Sequence, residues 1–226
     1  MKTALITGGA HRIGAQICRT LHDNNYNVII HYRNSSKEAN TLADELNALR
    51  KESAITMQAE LSNLAEIDTL CQHVNSLDLL VNNASVFYPT SLKTLNANDY
   101  QTIMNTNLMG PLFLSSTLSE NLSKHQGCIV NIVDIHSDRP LKNHAIYNIS
   151  KAGIAMMTKT LAKELAPNVR VCGVSPGSIL WPESKAELTQ EQKNSMLNKI
   201  ALKKQGDAKD IANTVLFLAN SPYITG

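Results

Sequence analysis

The sequence predicts an α/β fold, a doubly wound and mostly parallel sheet with helices on both faces. Three observations predict it. Short, nearly continuous apolar runs recur at 4–6, 28–32, 54–59, 77–81, 128–133 and 169–174, the pattern of parallel strands covered on both sides. Helical stretches separate most of these runs, so right-handed crossovers can wind the sheet. The first run ends in a glycine-rich turn that opens straight into a helix.

In chain order, the strand at 4–6 is followed by Thr7-Gly8-Gly9-Ala10-His11-Arg12-Ile13-Gly14 and a helix over about 12–24. A strand at 28–32 precedes a helix at 36–50, and a third strand covers 54–59. The fourth strand, 77–81, opens into Asn82-Asn83-Ala84. One long helical region runs from 96 to about 124, interrupted near Gly110-Pro111. The fifth strand at 128–133, a helix at 147–166 and the sixth strand at 169–174 follow. Helices at 183–199 and 207–220 close the chain. All 226 residues read as one domain, in which 178–204, carrying Trp181 and Pro182, is an insertion suited to a lid over a site at the strand ends.

Composition narrows the function. A formal net charge of +2 with no dense Lys/Arg run argues against a nucleic-acid surface, and 4% aromatics argues against base stacking. Cys18, Cys71, Cys128 and Cys172 are far apart and form no zinc-like cluster, so buried thiols in a reducing compartment are expected and no metal. No 18-residue apolar span occurs, and the apolar strand follows Met1-Lys2-Thr3 at once, leaving no room for a signal peptide. A soluble cytoplasmic protein is expected.

The chemistry is sought between 134 and 151. Tyr147 and Lys151 stand four apart at the start of a helical stretch, which puts them on one face, one turn apart. A Lys ammonium near a Tyr hydroxyl lowers the phenol pKa and makes it a proton donor and acceptor near neutral pH. Asp134 lies thirteen residues upstream, just past the fifth apolar run. Such a pair alone reads as well as a surface Tyr and a solvated Lys; its context decides.

Gly8, Ile13 and Gly14 in the first turn permit close approach of backbone to a diphosphate at a helix N-terminus. At the end of the second strand an NAD site would carry an acid on the ribose 2′-hydroxyl. Here stand Tyr32, Arg33, Asn34 and Ser35, with no acid between Asn27 and Lys37. Arg33 and Ser35, with Arg12 nearby, suit a 2′-phosphate and therefore NADPH.

With these pieces in order, the chain resembles the short-chain dehydrogenase/reductase family over nearly its whole length. The family's motifs correspond to Thr7 to Gly14, Asn82-Asn83-Ala84-Ser85, Asn107, Asp134, Tyr147/Lys151 and Pro176-Gly177. The resemblance implies a Rossmann-type strand order 3-2-1-4-5-6, with the usual seventh strand missing and the sixth left as a bare edge. It implies that Glu60 and Leu61 lie beside the adenine, that Asn83, Ala84 and Ser85 contact the cofactor, and that Pro176, Gly177 and Ser178 hold the nicotinamide end. It places Asn107 behind Lys151 and implies a homotetramer.

Three departures are informative. Arg12 replaces the middle glycine, Ser85 follows Asn-Asn-Ala, and Asp134 stands where a catalytic serine is expected. Together with His11-Arg12, His31-Tyr32-Arg33-Asn34-Ser35 and Asn83-Ala84-Ser85-Val86-Phe87-Tyr88-Pro89, they resemble the pteridine reductase branch. That resemblance implies a pterin or folate substrate, with Phe87 stacked on it and Arg12, Ser85, Asp134 and Tyr147 lining the site. An ionised Asp only accepts hydrogen bonds and would repel a growing oxyanion, so ketone chemistry becomes less attractive than proton delivery to a ring nitrogen. The rival expectations are a general carbonyl reductase of 3-oxoacyl or sugar type, and a catalytically silent NADPH-binding regulator.

Overall fold

The computed structural model describes residues 1–181 and 188–226. Six strands form one parallel sheet: β1 (Lys2–Ile6), β2 (Tyr26–Tyr32), β3 (Ala54–Gln58), β4 (Leu79–Asn82), β5 (Cys128–Ile132) and β6 (Arg170–Val174). The order is β3-β2-β1-β4-β5-β6, the expected doubly wound arrangement. Ile6 pairs with Ile30 on one side and Val81 on the other, and Asn82 pairs with Asn131. The carboxyl ends of the strands therefore stand together, where open α/β sheets place their sites.

Alternation along each strand splits the core in two. Ala4, Ile6, Val28, Ile30, Val81 and Val130 face α1 (Arg12–Asp23), α2 (Ser36–Leu49) and α9 (Ala208–Ala219). Leu5, Ile29, Leu80, Ile129 and Val171 face α3 (Leu64–Gln72), α5 (Gly110–Thr117) and α7 (Ala145–Glu164). On that second face a buried polar chain ties the helices to the strand ends. Asn82 Nδ2 donates to Ser115 Oγ at 3.2 Å and to Asn131 Oδ1 at 2.8 Å, and Asn131 Nδ2 donates to Thr158 Oγ1 at 2.9 Å. This fixes α7, which carries Tyr147 and Lys151, against β5.

The structure corrects the sequence reading in several places. The apolar pattern between 64 and 72 predicts no helix, yet α3 forms there. Its cap is Asn63, whose side chain accepts from Ala65 N–H, and Ile67, Leu70 and Cys71 face the core. The long region from 96 is three helices, α4 (Ala97–Met104), α5 and α6 (Ser119–Lys124). The break precedes Gly110-Pro111: Asn105–Met109 winds as a π turn, and Asn107 sits in it. Of the helix expected at 183–199, α8 (Gln190–Lys199) is seen, opened by a Thr189/Gln192 capping box. Leu188 and Thr189, expected in that helix, lie before it, and its remainder at 183–187, with part of the 178–204 insertion, falls outside the described residues.

The edge of β6 is not bare along its length. Val171 N–H donates to Thr225 Oγ1 at 3.0 Å and Val171 O accepts from Gly226 N–H at 2.8 Å. Arg170 joins this tail to α9, donating to Ile224 O at 3.3 Å and, at the C-terminus of α9, to Leu218 O at 2.8 Å and Ala219 O at 2.9 Å. All four cysteines are buried and free.

Leu80 is fully buried at the centre of the second core face. Leu80→Ala should lower the free energy of unfolding by about 3 kcal/mol, read from the urea midpoint.

Candidate active site

The glycine turn is shaped by close contacts. Gly8 has φ +61°, and a side chain on Gly14 would be driven into the Gly8 carbonyl oxygen. Arg12 itself adopts φ +51°, the left-handed region that favours glycine, which accounts for the family's glycine at that place. The first turn of α1 carries no acidic residue. A helix N-terminus without acidic residues, behind a turn in which Gly8 and Gly14 leave little room for a side chain, fits the diphosphate of a dinucleotide. Gly177, after β6, has open space where a Cβ would stand.

Two braces hold the turn. Thr7 Oγ1 accepts from Asn83 N–H at 2.9 Å and Ala84 N–H at 3.0 Å, while Asn83 Nδ2 donates to Thr7 O at 2.8 Å. His31 is the second. Its Nδ1 accepts from Gly8 N–H at 3.1 Å and its Nε2 lies 3.0 Å from Ala59 O. A carbonyl only accepts, so Nε2 carries the proton and the ring is neutral. Burial pushes the His31 pKa down to about 4, against smaller opposing effects of the Ala59 bond and Glu60. In the sequence His31 stands out only within the His31 to Ser35 motif, because its partners Gly8 and Ala59 lie on other elements.

At the end of β2, Arg33 lies exposed with its guanidinium 3.6 Å from Glu60. Asn34 is also exposed, Tyr32 and Ser35 are half-buried, and Leu61 is buried. Arg12 Nη2 donates to Trp181 O at 2.8 Å, joining the glycine turn to the segment after β6. Pro176 is buried, Ser178 O accepts from Gly206 N–H at 2.9 Å, and Ser85 is exposed in the loop after β4.

The proposed trio is brought together by β5 and α7. Tyr147 hydroxyl donates to Asp134 Oδ2 at 2.6 Å, and Asp134 Oδ1 accepts from His136 N–H at 2.8 Å. Lys151 is buried and does not bond the phenol oxygen. Its Nζ donates to Ile132 O at 3.0 Å and lies 5.7 Å from the centre of the Tyr147 ring. The expectation of a lowered phenol pKa is overturned. Burial raises the Tyr147 pKa far above the usual range, and the charge of Asp134 and its hydrogen bond raise it further. Burial also brings Lys151 down to about 8, with Asp134 pulling the other way.

Asn107 acts on the neighbouring loop rather than on Lys151 directly. Its Oδ1 accepts from Val86 N–H at 2.8 Å, and its Nδ2 donates to Val86 O at 3.0 Å and Ser150 Oγ at 3.2 Å. This clamp places Phe87, whose ring stands edge-on to Tyr147 at 4.8 Å and 78°. Among the described residues no three His, Cys, Asp or Glu cluster to hold a metal, and no helix is long and apolar enough to cross a membrane.

Comparison with known proteins gives a consistent result. A family model described as short chain dehydrogenase matches residues 2–193. The chain is 32% identical to pteridine reductase 1 of Leishmania tarentolae, over 99% of this chain and 92% of that protein. It is 34% identical to a 3-oxoacyl-(acyl-carrier-protein) reductase of Staphylococcus epidermidis, over 100% and 95%. A Synechocystis protein of the same name is 32% identical, over 100% and 93%.

The neutral His31 gives a pH signature. With a folded pKa of about 4 against the usual 6.5, the folded state disfavours the proton, so its contribution is whole above pH 6.5 and declines as pH falls toward 4. Unfolding titrations across that window should show a loss on the order of 3 kcal/mol attributable to this group, absent in His31→Gln.

Proposed function

Because the chain belongs to the short-chain dehydrogenase family, a family of oxidoreductases working with a nicotinamide dinucleotide, we propose that it is an NADPH-dependent pterin reductase. The observation that carries this reading is the 2.6 Å bond from the Tyr147 hydroxyl to Asp134. A carboxylate in that position accepts hydrogen bonds and cannot donate one to a developing oxyanion. It can hold and pass a proton, which is what reduction of a ring C=N bond requires at nitrogen.

Gly8, Ile13, Gly14, Asn83 and Ala84 would hold the diphosphate end of the cofactor, with Glu60 and Leu61 at the adenine. Arg33, Asn34, Ser35 and Tyr32 would take the 2′-phosphate, and Pro176, Gly177 and Ser178 the nicotinamide end. The Arg33–Glu60 pair is long at 3.6 Å and solvent-facing, so a phosphate dianion competes for Arg33 well. When bound, the reduced nicotinamide supplies the hydride.

The chain's own residues manage the proton. The raised phenol pKa keeps Tyr147 protonated at neutral pH, as a donor must be. Proton loss beside the Asp134 carboxylate is unfavourable alone, so the carboxyl and phenol act as a coupled pair. Half-buried Asp134 takes up the replacement proton from solvent, and the Lys151 ammonium offsets the negative charge. Phe87, Ser85 and Arg12 would line the substrate ring, with Phe87 on one face.

The second reading, reduction of a 3-oxoacyl carbonyl, is favoured by the relatives of that name. It needs a hydroxyl donor that Asp134 does not offer. The wider setting is a cytoplasmic homotetramer of single-domain subunits with 178–204 as lid. Exposed Tyr100, Leu112, Phe113, Ile149 and Met156 on α4, α5 and α7 support self-association.

Two experiments test this. NADPH oxidation is followed with dihydrobiopterin, dihydrofolate and a panel of ketones. Tyr147→Phe and Asp134→Ser should each lower dihydropterin kcat about 100-fold or more; unchanged turnover in both removes the pair from the mechanism. Separately, Arg33→Asp should raise KM for NADPH about tenfold while leaving NADH within about threefold.

A further inference from the structure

We infer that His144 is a positioning residue for the substrate: its ring backs Phe87 and holds it as a fixed wall beside the Tyr147 hydroxyl. This rests on the pterin-reductase reading. The His144 and Phe87 rings are stacked, with centres 4.7 Å apart and planes at 14°. One face of Phe87 is thus occupied by protein, yet the residue remains 38% exposed. The exposed part is available to a flat heteroaromatic ring, which would extend the stack by one layer.

His144 is itself held from both sides. It stands immediately before α7, three residues ahead of Tyr147. Its backbone bridges Thr90, and Thr90 N–H donates to Asn143 O at 2.6 Å. The loop that carries Phe87 is thereby tied to the helix that carries Tyr147. Nδ1 lies 2.8 Å from Lys142 O, so Nδ1 carries the proton and the ring plane is fixed. Nε2 is buried and finds no hydrogen-bond partner among the described residues. A phenylalanine at 144 would keep the stacking face and avoid that orphaned acceptor. The face of the ring, not its second nitrogen, is therefore what the site uses. With the ring removed, Phe87 loses the backing of its stacked face and keeps the edge contact to Tyr147.

The test compares wild type, His144→Ala and His144→Phe with NADPH and dihydrobiopterin, and measures NADPH affinity by titration. His144→Ala should raise dihydropterin KM about five- to tenfold, with kcat and NADPH affinity within about twofold. His144→Phe should return KM to within about twofold of wild type. An unchanged KM in His144→Ala, alongside normal wild-type turnover, overturns the inference alone. So does a loss that His144→Phe fails to restore, which would assign the effect to the nitrogen or to folding. Absence of dihydropterin turnover in wild type overturns the functional reading, and this inference with it.

Discussion

The Tyr147 hydroxyl donates a hydrogen bond to the Asp134 carboxylate across 2.6 Å, and much of the molecule serves to keep that bond in place. Asp134 follows β5, and Tyr147 lies on the first turn of α7. Their meeting depends on how α7 lies against the sheet, which the Asn131–Thr158 bond and the buried Lys151–Ile132 bond both fix. Burial supplies the electrostatics. It raises the phenol pKa and lowers that of the ammonium, so the phenol stays protonated and the ammonium is held less firmly than in water.

The opposite half of the crevice is built by different means. There, neutral donors and acceptors do the bracing: Thr7 and Asn83 between β1 and β4, and His31 between β1, β2 and the end of β3. No acidic residue is placed in the first turn of α1, and Arg12 opens it, so the helix terminus keeps its affinity for anions. The two halves of the site thus differ in build, one braced by neutral groups behind a helix N-terminus and one holding the buried Tyr147, Asp134 and Lys151.

The fold was legible because both-face burial writes short apolar runs directly into the chain, and because parallel strands leave few topologies. Helix α3 was not, since only Ile67, Leu70 and Cys71 face inward and Asp68, Thr69 and Glu66 dilute the stripe, although the cap at Asn63 was a usable signal. Tyr147, Asp134 and Lys151 were legible as neighbours from spacing alone. The direction of the phenol pKa was not, because burial depth has no local signature in sequence. His144 and the bracing role of His31 were missed for a related reason: each is defined by partners on other elements. The comparisons settle the family while leaving pterin and 3-oxoacyl relatives at like distance, so the choice proposed between them rests on the chemistry of Asp134 rather than on similarity.

The wide turn at Asn105–Met109 has a consequence for how such chains can change. A π turn holds one more residue than the α turn it interrupts, and each residue rotates a helix by about 100°. Losing a single residue there would leave an ordinary, unbroken helix while swinging the amide of Asn107 off the loop it grips. The chain would keep its scaffold and lose its aim, so a one-codon deletion at this spot separates folding competence from chemistry more cleanly than most replacements of a side chain.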